Sequence, residues 1–158
     1  MIKILMVCLG NICRSPLAEG ILKEKIKLSG ITRVEIDSAG TAPYHIGHHP
    51  DSRSIANAMR HGIDISGLKG RQISKTDLKI FNYIYVMDRS NYDNVIQLSD
   101  NEEEREKVKL ILEELYPGQN KSVPDPYYGS DEGFEEVYQL LDKACDAIIL
   151  KLKNNLIS

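Results

Sequence analysis

Cys8 and Arg14 stand five residues apart in the run Met6-Val7-Cys8-Leu9-Gly10-Asn11-Ile12-Cys13-Arg14-Ser15-Pro16. The apolar stretch Ile2–Val7 precedes this run and a helical pattern follows it, so it forms a loop between strand and helix. A loop in that position points backbone N–H groups outward from the positive end of the helix and binds an anion. A free cysteine titrates near about 8.5, and helix N-termini and nearby cations lower this to roughly 3.5–7.5, so the setting favours a thiolate. Arginine adds a planar fork of donors that matches phosphate oxygens. The chemistry implied is a thiolate nucleophile inside a phosphate cradle. Gly10 and Asn11 supply residue types that tolerate positive φ in a tight loop. Ser15-Pro16 reads as an N-cap followed by proline at the first helical position.

Expelling an alkoxide or phenolate from a phosphate monoester requires a proton, and a positioned general acid contributes roughly 10²–10⁴ in rate. Asp125 lies between Pro124 and Pro126 in the proline-rich stretch from Tyr116 to Gly129. Proline restricts its neighbours, so a carboxyl held there has little freedom. Asp-Pro in isolation reads only as a turn. Asp125 is nonetheless the candidate acid, and Tyr127 and Tyr128 beside it are candidate walls for a flat aromatic group.

The elements that must position these residues follow a strand–helix alternation. Ile2–Val7 reads as a strand buried on both faces. Leu17, Ala18, Ile21, Leu22 and Ile26 line one face of a helix that stops near Ser29-Gly30. Val34–Asp37 alternates like a half-exposed edge strand, and Ser38–Pro43 reads as the loop at its end. Asp51 or Ser52 can cap a helix to about Arg60, and a short helix is expected near Thr76–Lys79. Tyr83–Met87 is a third strand, with Asp88 or Ser90 capping the helix that follows. The charge run Asp100–Lys107 reads as a solvated helical turn or loop, and Val108–Leu112 as a fourth strand. The clearest helix runs from about Asp131 to Leu152, with Phe134, Val137, Tyr138, Leu141, Cys145, Ile148 and Leu152 in one stripe. Strands separated by helices imply an α/β fold with parallel strands and right-handed crossovers. Ligands in such folds gather at the C-terminal ends of the strands, where the loops here begin with Cys8, Ser38 and Asp88.

Length and composition set the bounds. The 158 residues suit one domain over 1–158. Hydrophobic residues are 42% and charged residues 27%, as in ordinary globular proteins. A net charge of −3 argues against nonspecific nucleic-acid binding. No apolar stretch approaches the roughly 20 residues of a membrane span, and the N-terminal apolar run is too short for a signal peptide. Three cysteines form no disulfide framework, which points to a reducing, cytoplasmic setting. His45, His48 and His49 share a loop but lack the cysteines or spaced carboxylates of a metal site, so neither metal nor cofactor is expected.

Cys8-Leu9-Gly10-Asn11-Ile12-Cys13-Arg14-Ser15 resembles the signature loop of the low-molecular-weight protein tyrosine phosphatases, and Asp125-Pro126-Tyr127-Tyr128-Gly129 resembles that family's second signature. The resemblance covers essentially the whole chain. It implies a three-layer, flavodoxin-like fold on a four-stranded parallel sheet in the order 2-1-3-4, with the phosphate-binding loop after the first strand. It implies hydrolysis of protein phosphotyrosine and small aryl phosphates through a phosphocysteine, with Cys8 as nucleophile, Arg14 as phosphate clamp and Asp125 as general acid and base. Leu9, Gly10, Asn11, Ile12, Cys13, Arg14 and Ser15 then hold phosphate or an oxyanion analogue, and Ser15 donates to the Cys8 sulfur. Asn11, Ser38 and His61 match positions that brace the loop, although His61 by itself reads as a helix-end residue. Asp88 either caps a helix or orients Arg14. Leu9, Tyr44, Tyr127 and Tyr128 are rim candidates, and the two adjacent tyrosines match ones that are open to phosphorylation in relatives. Cys13 is the expected disulfide partner of Cys8 on oxidation, while Cys145 belongs to the core. Phosphoprotein substrates, no nucleic acid, no membrane span, and a monomer with at most weak dimerisation complete the expectation.

Rival readings differ in single features. Phosphoarginine phosphatases of this fold tend to carry Thr where this chain has Ile12. An arsenate reductase would need a further cysteine pair, and only Cys145 lies beyond the loop. A phosphocysteine carrier of a sugar-transport system would not need Arg14 and Asp125 together, and an FMN-binding module would use a hydroxyl-rich loop.

Overall fold

A computed structural model describes residues 1–154. Four strands, β1 (Ile2–Cys8), β2 (Val34–Gly40), β3 (Tyr83–Val86) and β4 (Val108–Leu110), form one parallel sheet in the order β2-β1-β3-β4. The helices among the described residues are α1 (Arg14–Ser29), α2 (Ser52–Arg60), α3 (Lys75–Ile80), α4 (Arg89–Ile96), α5 (Glu102–Glu106) and α6 (Asp131–Lys153). A 3-10 turn over Ile111–Glu114 takes the last part of the expected fourth strand.

The alternation of β1 divides the core. Ile4, Met6 and Cys8 face α1 and α6, whereas Leu5 and Val7 face Leu78 of α3 and Val95 of α4. Helices on both faces bury β1 completely from Ile4 onward, which explains its uninterrupted apolar sequence. The predicted stripe of α6 is buried along its length and packs on α1. Each such aliphatic side chain contributes about 1.5–3 kcal/mol on burial.

Three further features differ from the sequence expectation, each for a local reason. β2 continues through Ser38, Ala39 and Gly40, whose partners are Met6, Val7 and Cys8. These small residues carry little strand propensity, but the loop that follows β1 crosses them closely. A Cβ on Gly40 would lie 2.8 Å from the Leu9 carbonyl oxygen and 3.1 Å from the Asn11 nitrogen, so only glycine fits. Next, α1 begins at Arg14 with Cys13 at its N-cap, so Ser15 is not the cap and Pro16 sits in the third helical position. No side chain caps this helix, and the Ser15 hydroxyl points to Cys8 instead. Finally, the charge run includes α5, and Glu104 within it is buried, accepting from the Asp100 N–H and from Lys79.

Candidate active site

The C-terminal end of β1, the first turn of α1, the loop after β2 and the segment ahead of α6 converge on a cleft of about 210 Å³. Cys8, Leu9, Gly10, Ile12, Cys13, Arg14, Tyr44, His45, Asp125, Tyr127 and Tyr128 line it. A larger groove of about 730 Å³ beside β2 is lined by Lys, Arg, Glu, Asp and apolar side chains, with no Cys, Ser or Thr among them. The smaller cleft brings the Cys8 sulfur, the Arg14 guanidinium and the Asp125 carboxyl to one space.

Cys8 ends β1 and is 3% exposed. Its Sγ lies 3.0 Å from Ser15 Oγ. The direction of that hydrogen bond follows from a chain of partners behind it. Asn11 Oδ1 accepts from the Arg71 backbone N–H at 3.0 Å, which orients the amide. Asn11 Nδ2 then donates to Ser15 Oγ at 2.8 Å and to Ser38 Oγ at 3.0 Å. Ser38 passes its own proton to Glu19 at 2.6 Å. With an Asn11 proton already directed at its oxygen, Ser15 has its hydroxyl proton free for Cys8. The next acceptor, the Ala39 carbonyl, is farther off at 3.5 Å. A hydroxyl proton aimed at sulfur stabilises the thiolate.

Asn11 reaches both serines because it occupies the left-handed region, at φ 57°. Gly10 does not share that conformation; its place is set by space, since a Cβ there would meet the His45 ring at 3.0 Å. His61 stands apart from this network. It ends α2, pairs with Glu135 at 2.8 Å and stacks on Tyr138 at 3.6 Å between centroids. The helix-end reading of His61 is the one the structure supports.

Arg14 is 2% exposed, so its charge must be met by fixed partners. Nη1 donates to Asp88 Oδ2 at 2.7 Å and to the Val123 carbonyl at 2.9 Å. Asp88 also serves a second partner, because its other oxygen accepts the Asn91 N–H at the start of α4. Arg14 Nη2 lies 3.6 Å from Asp125 Oδ2. Asp125 Oδ1 accepts the Tyr127 N–H at 3.0 Å, a turn that fixes the carboxyl at the mouth.

Tyr127 and Tyr128 meet edge to face at 4.9 Å, and Tyr127 packs against Ile12, Cys13 and Phe134. Tyr128 is almost fully exposed and Tyr44 largely so, leaving both rings open at the rim. His45 also lines this rim, with its ring 6.5 Å from Tyr127. The sequence offered no signal that singled it out from His48 and His49. Glu19 and Arg71 were likewise missed, since each acts through partners far away in the chain. Cys13 is buried, and burial pushes its thiol well above the ordinary range. Cys145 is sealed in the core with its thiol similarly raised. Among the described residues, no group of three His, Cys, Asp or Glu side chains converges as metal ligands would.

Glu135 gives a measurable acid dependence. Hydrogen bonds from His61, Gln139 and Asn57 hold its carboxyl down to about 2, from an ordinary 4.5. A depressed carboxylate contributes stability that is complete above about 4.5 and is lost as pH falls towards about 2. Denaturant titration of wild type and Glu135→Gln should show the wild-type advantage at pH 6 shrinking steadily below pH 4.5. A constant advantage at all pH values would contradict the depressed Glu135 carboxyl.

The whole of residues 3–157 matches the family model described as low molecular weight phosphotyrosine protein phosphatase. A putative low molecular weight protein-tyrosine-phosphatase of Synechocystis is 39% identical over 157 residues, 99% of each chain. The solved structure of a protein tyrosine phosphatase from Entamoeba histolytica, with Hepes in its active site, superposes with a TM-score of 0.91 at 36% identity, covering 98% of this chain and 99% of that one. A structure described as a Drosophila arginine phosphatase superposes with a TM-score of 0.89 at 30% identity, covering 96% and 98%.

Proposed function

Since the chain belongs to the low molecular weight phosphotyrosine protein phosphatase family, we propose that Cys8, Arg14 and Asp125 carry its reaction, within a single domain over residues 1–158. Proteins of this family are protein-tyrosine phosphatases, hydrolases that need no metal, and this chain is one of them. The observation that carries the assignment is the shared cleft. A buried sulfur, a buried guanidinium and a rim carboxyl open into one space bounded by tyrosines.

The reaction runs in two displacements. The Cys8 thiolate attacks phosphorus in line, the S–P bond forms, and the bond to the leaving oxygen breaks as Asp125 delivers its proton there. Water then attacks the phosphocysteine while the Asp125 carboxylate takes one of its protons. The S–P bond breaks, returning the thiolate and releasing phosphate. The loop N–H groups from Leu9 to Ser15 and the free side of Arg14 hold the equatorial oxygens, where charge is greatest in the transition state. Ser15 keeps its proton directed at sulfur and so makes the thiolate a better leaving group in the second step.

Tyr44, Tyr127 and Tyr128 make the mouth suited to an aromatic ring held over the cradle. Ile12 at the cleft wall favours phosphotyrosine over phosphoarginine. Inorganic phosphate and its oxyanion analogues are competitive ligands of the same loop. The protein works as a monomer with at most weak self-association, in the cytoplasm, where reductants keep Cys8 a thiol. A peroxide oxidises Cys8 to the sulfenic acid, and Cys13 then displaces water from it to close a reversible disulfide.

Assays on phenyl phosphate and on phosphoarginine test the reading. Phenyl phosphate should have the higher kcat/KM, and Asp125→Ala should lower it by about 10²–10⁴. A preference for phosphoarginine would overturn the substrate assignment, and an undiminished Asp125→Ala enzyme would remove Asp125 from the mechanism.

A further inference from the structure

We infer that Arg53, which is outside the cleft, is the positioning residue that holds the general-acid loop in register with the nucleophile loop; the inference rests on Asp125 being the acid. Arg53 is in the first turn of α2 and touches neither Cys8 nor Arg14. Its guanidinium reaches the far side of the Asp125 segment. Nη2 donates to the Tyr127 carbonyl at 2.8 Å and Nη1 to the Gly129 carbonyl at 3.3 Å. These two carbonyls follow the turn in which Asp125 Oδ1 accepts the Tyr127 N–H. Arg53 therefore holds the backbone that aims the acid. The Phe134 ring lies under the guanidinium, 4.7 Å from its carbon, and limits its movement.

The same turn of α2 is bonded to the nucleophile loop. The Asp51 N–H donates to the Ile12 carbonyl at 2.8 Å, and Ser54 Oγ donates to the Cys13 carbonyl at 3.1 Å. Asp51 in turn orients Arg53 through a two-point fork, from Nε at 3.0 Å and Nη2 at 2.9 Å. Residues 51–54 thus bracket two loops that are more than a hundred positions apart in the chain and share no backbone pairing of their own. Three acceptors are served by one planar group at fixed angles. A lysine at this position would keep the charge and lose the geometry. The bracket matters because displacing an acid by about 1 Å can cost on the order of 10² in rate.

The test compares kcat/KM on two aryl phosphates. Phenyl phosphate needs its leaving oxygen protonated, whereas 2,4-dinitrophenyl phosphate does not. Arg53→Met and Arg53→Lys should each lose about 10- to 100-fold on phenyl phosphate and less than about twofold on the dinitrophenyl ester. In an Asp125→Asn background the same Arg53 substitutions should cost nothing further on phenyl phosphate. Equal losses on both substrates, no loss on either, or a full additional loss in the Asp125→Asn background would overturn the positioning role. Rescue by Arg53→Lys to wild-type activity would overturn the two-point geometry in favour of charge alone. Asp125→Asn measured by itself separates the two claims. If it shows no leaving-group selectivity, the acid assignment falls; if it is selective and Arg53→Met is not, only the Arg53 inference falls.

Discussion

Cys8→Ser should eliminate turnover, lowering kcat by at least about four orders of magnitude while leaving the fold and phosphate binding intact. The substitution changes one atom at the end of β1. That strand is paired on both sides, to β2 through Gly40 and to β3 through Val86, so the backbone of the cradle does not depend on sulfur. The side chain is almost wholly buried and serine is slightly smaller, which costs on the order of 1 kcal/mol. What is lost is the nucleophile. A hydroxyl placed at the same point keeps its proton at neutral pH, and its hydrogen-bond partner, Ser15 Oγ, is no base. The loop N–H groups and Arg14 are unchanged, so titration calorimetry with inorganic phosphate should give an affinity within a few fold of wild type. Residual turnover of even a tenth of the wild-type rate would mean that some other group attacks phosphorus.

Arg14→Lys should be nearly as severe, lowering kcat by roughly 10³. The reason lies in how the guanidinium is divided. Nη1 is spent on Asp88 and the Val123 carbonyl, which frees Nη2 to face Asp125 and the cleft. A lysine presents its donors at one point. It can neutralise Asp88 or reach phosphate oxygens, but it cannot do both at the distances of the guanidinium fork. Steady-state kinetics on phenyl phosphate should show the loss chiefly in kcat, because the equatorial oxygens gain charge on the way to the transition state. Circular dichroism melts would check that the fold persists. A variant within about tenfold of wild type would show that Arg14 acts as a point charge, and the clamp geometry would be wrong.

The parts of the molecule that rest on local chemistry were legible from the chain. The buried run of β1, the stripe of α6 and the spacing from Cys8 to Arg14 all follow from neighbours in sequence. The strand order came through the family resemblance and matches the sheet found. What escaped depends on contacts over long separations. Ser15 has the residue type of an N-cap, but α1 begins one residue before it, and its hydroxyl is directed at the Cys8 sulfur instead. Ser38–Gly40 has loop composition, and only the packing of Leu9 and Asn11 against Gly40 makes it strand. His61 was assigned to the loop network by resemblance, yet Glu135 and Tyr138 from α6 hold it elsewhere. Arg53 carried no local sign at all, because its acceptors are carbonyls near residue 128, supplied by a segment that no nearby periodicity reveals.

The central claim is that phosphorus passes through a covalent bond to Cys8, and trapping that bond tests it most directly. Wild-type enzyme turning over 2,4-dinitrophenyl phosphate should be acid-quenched within the first turnovers, digested and analysed by mass spectrometry. A phosphoryl group on the peptide that begins the loop, localised to the Cys8 sulfur and absent from Cys8→Ser, is the predicted result. A phosphoryl group on any other residue, or turnover with no adduct at Cys8 at any quench time, would contradict it.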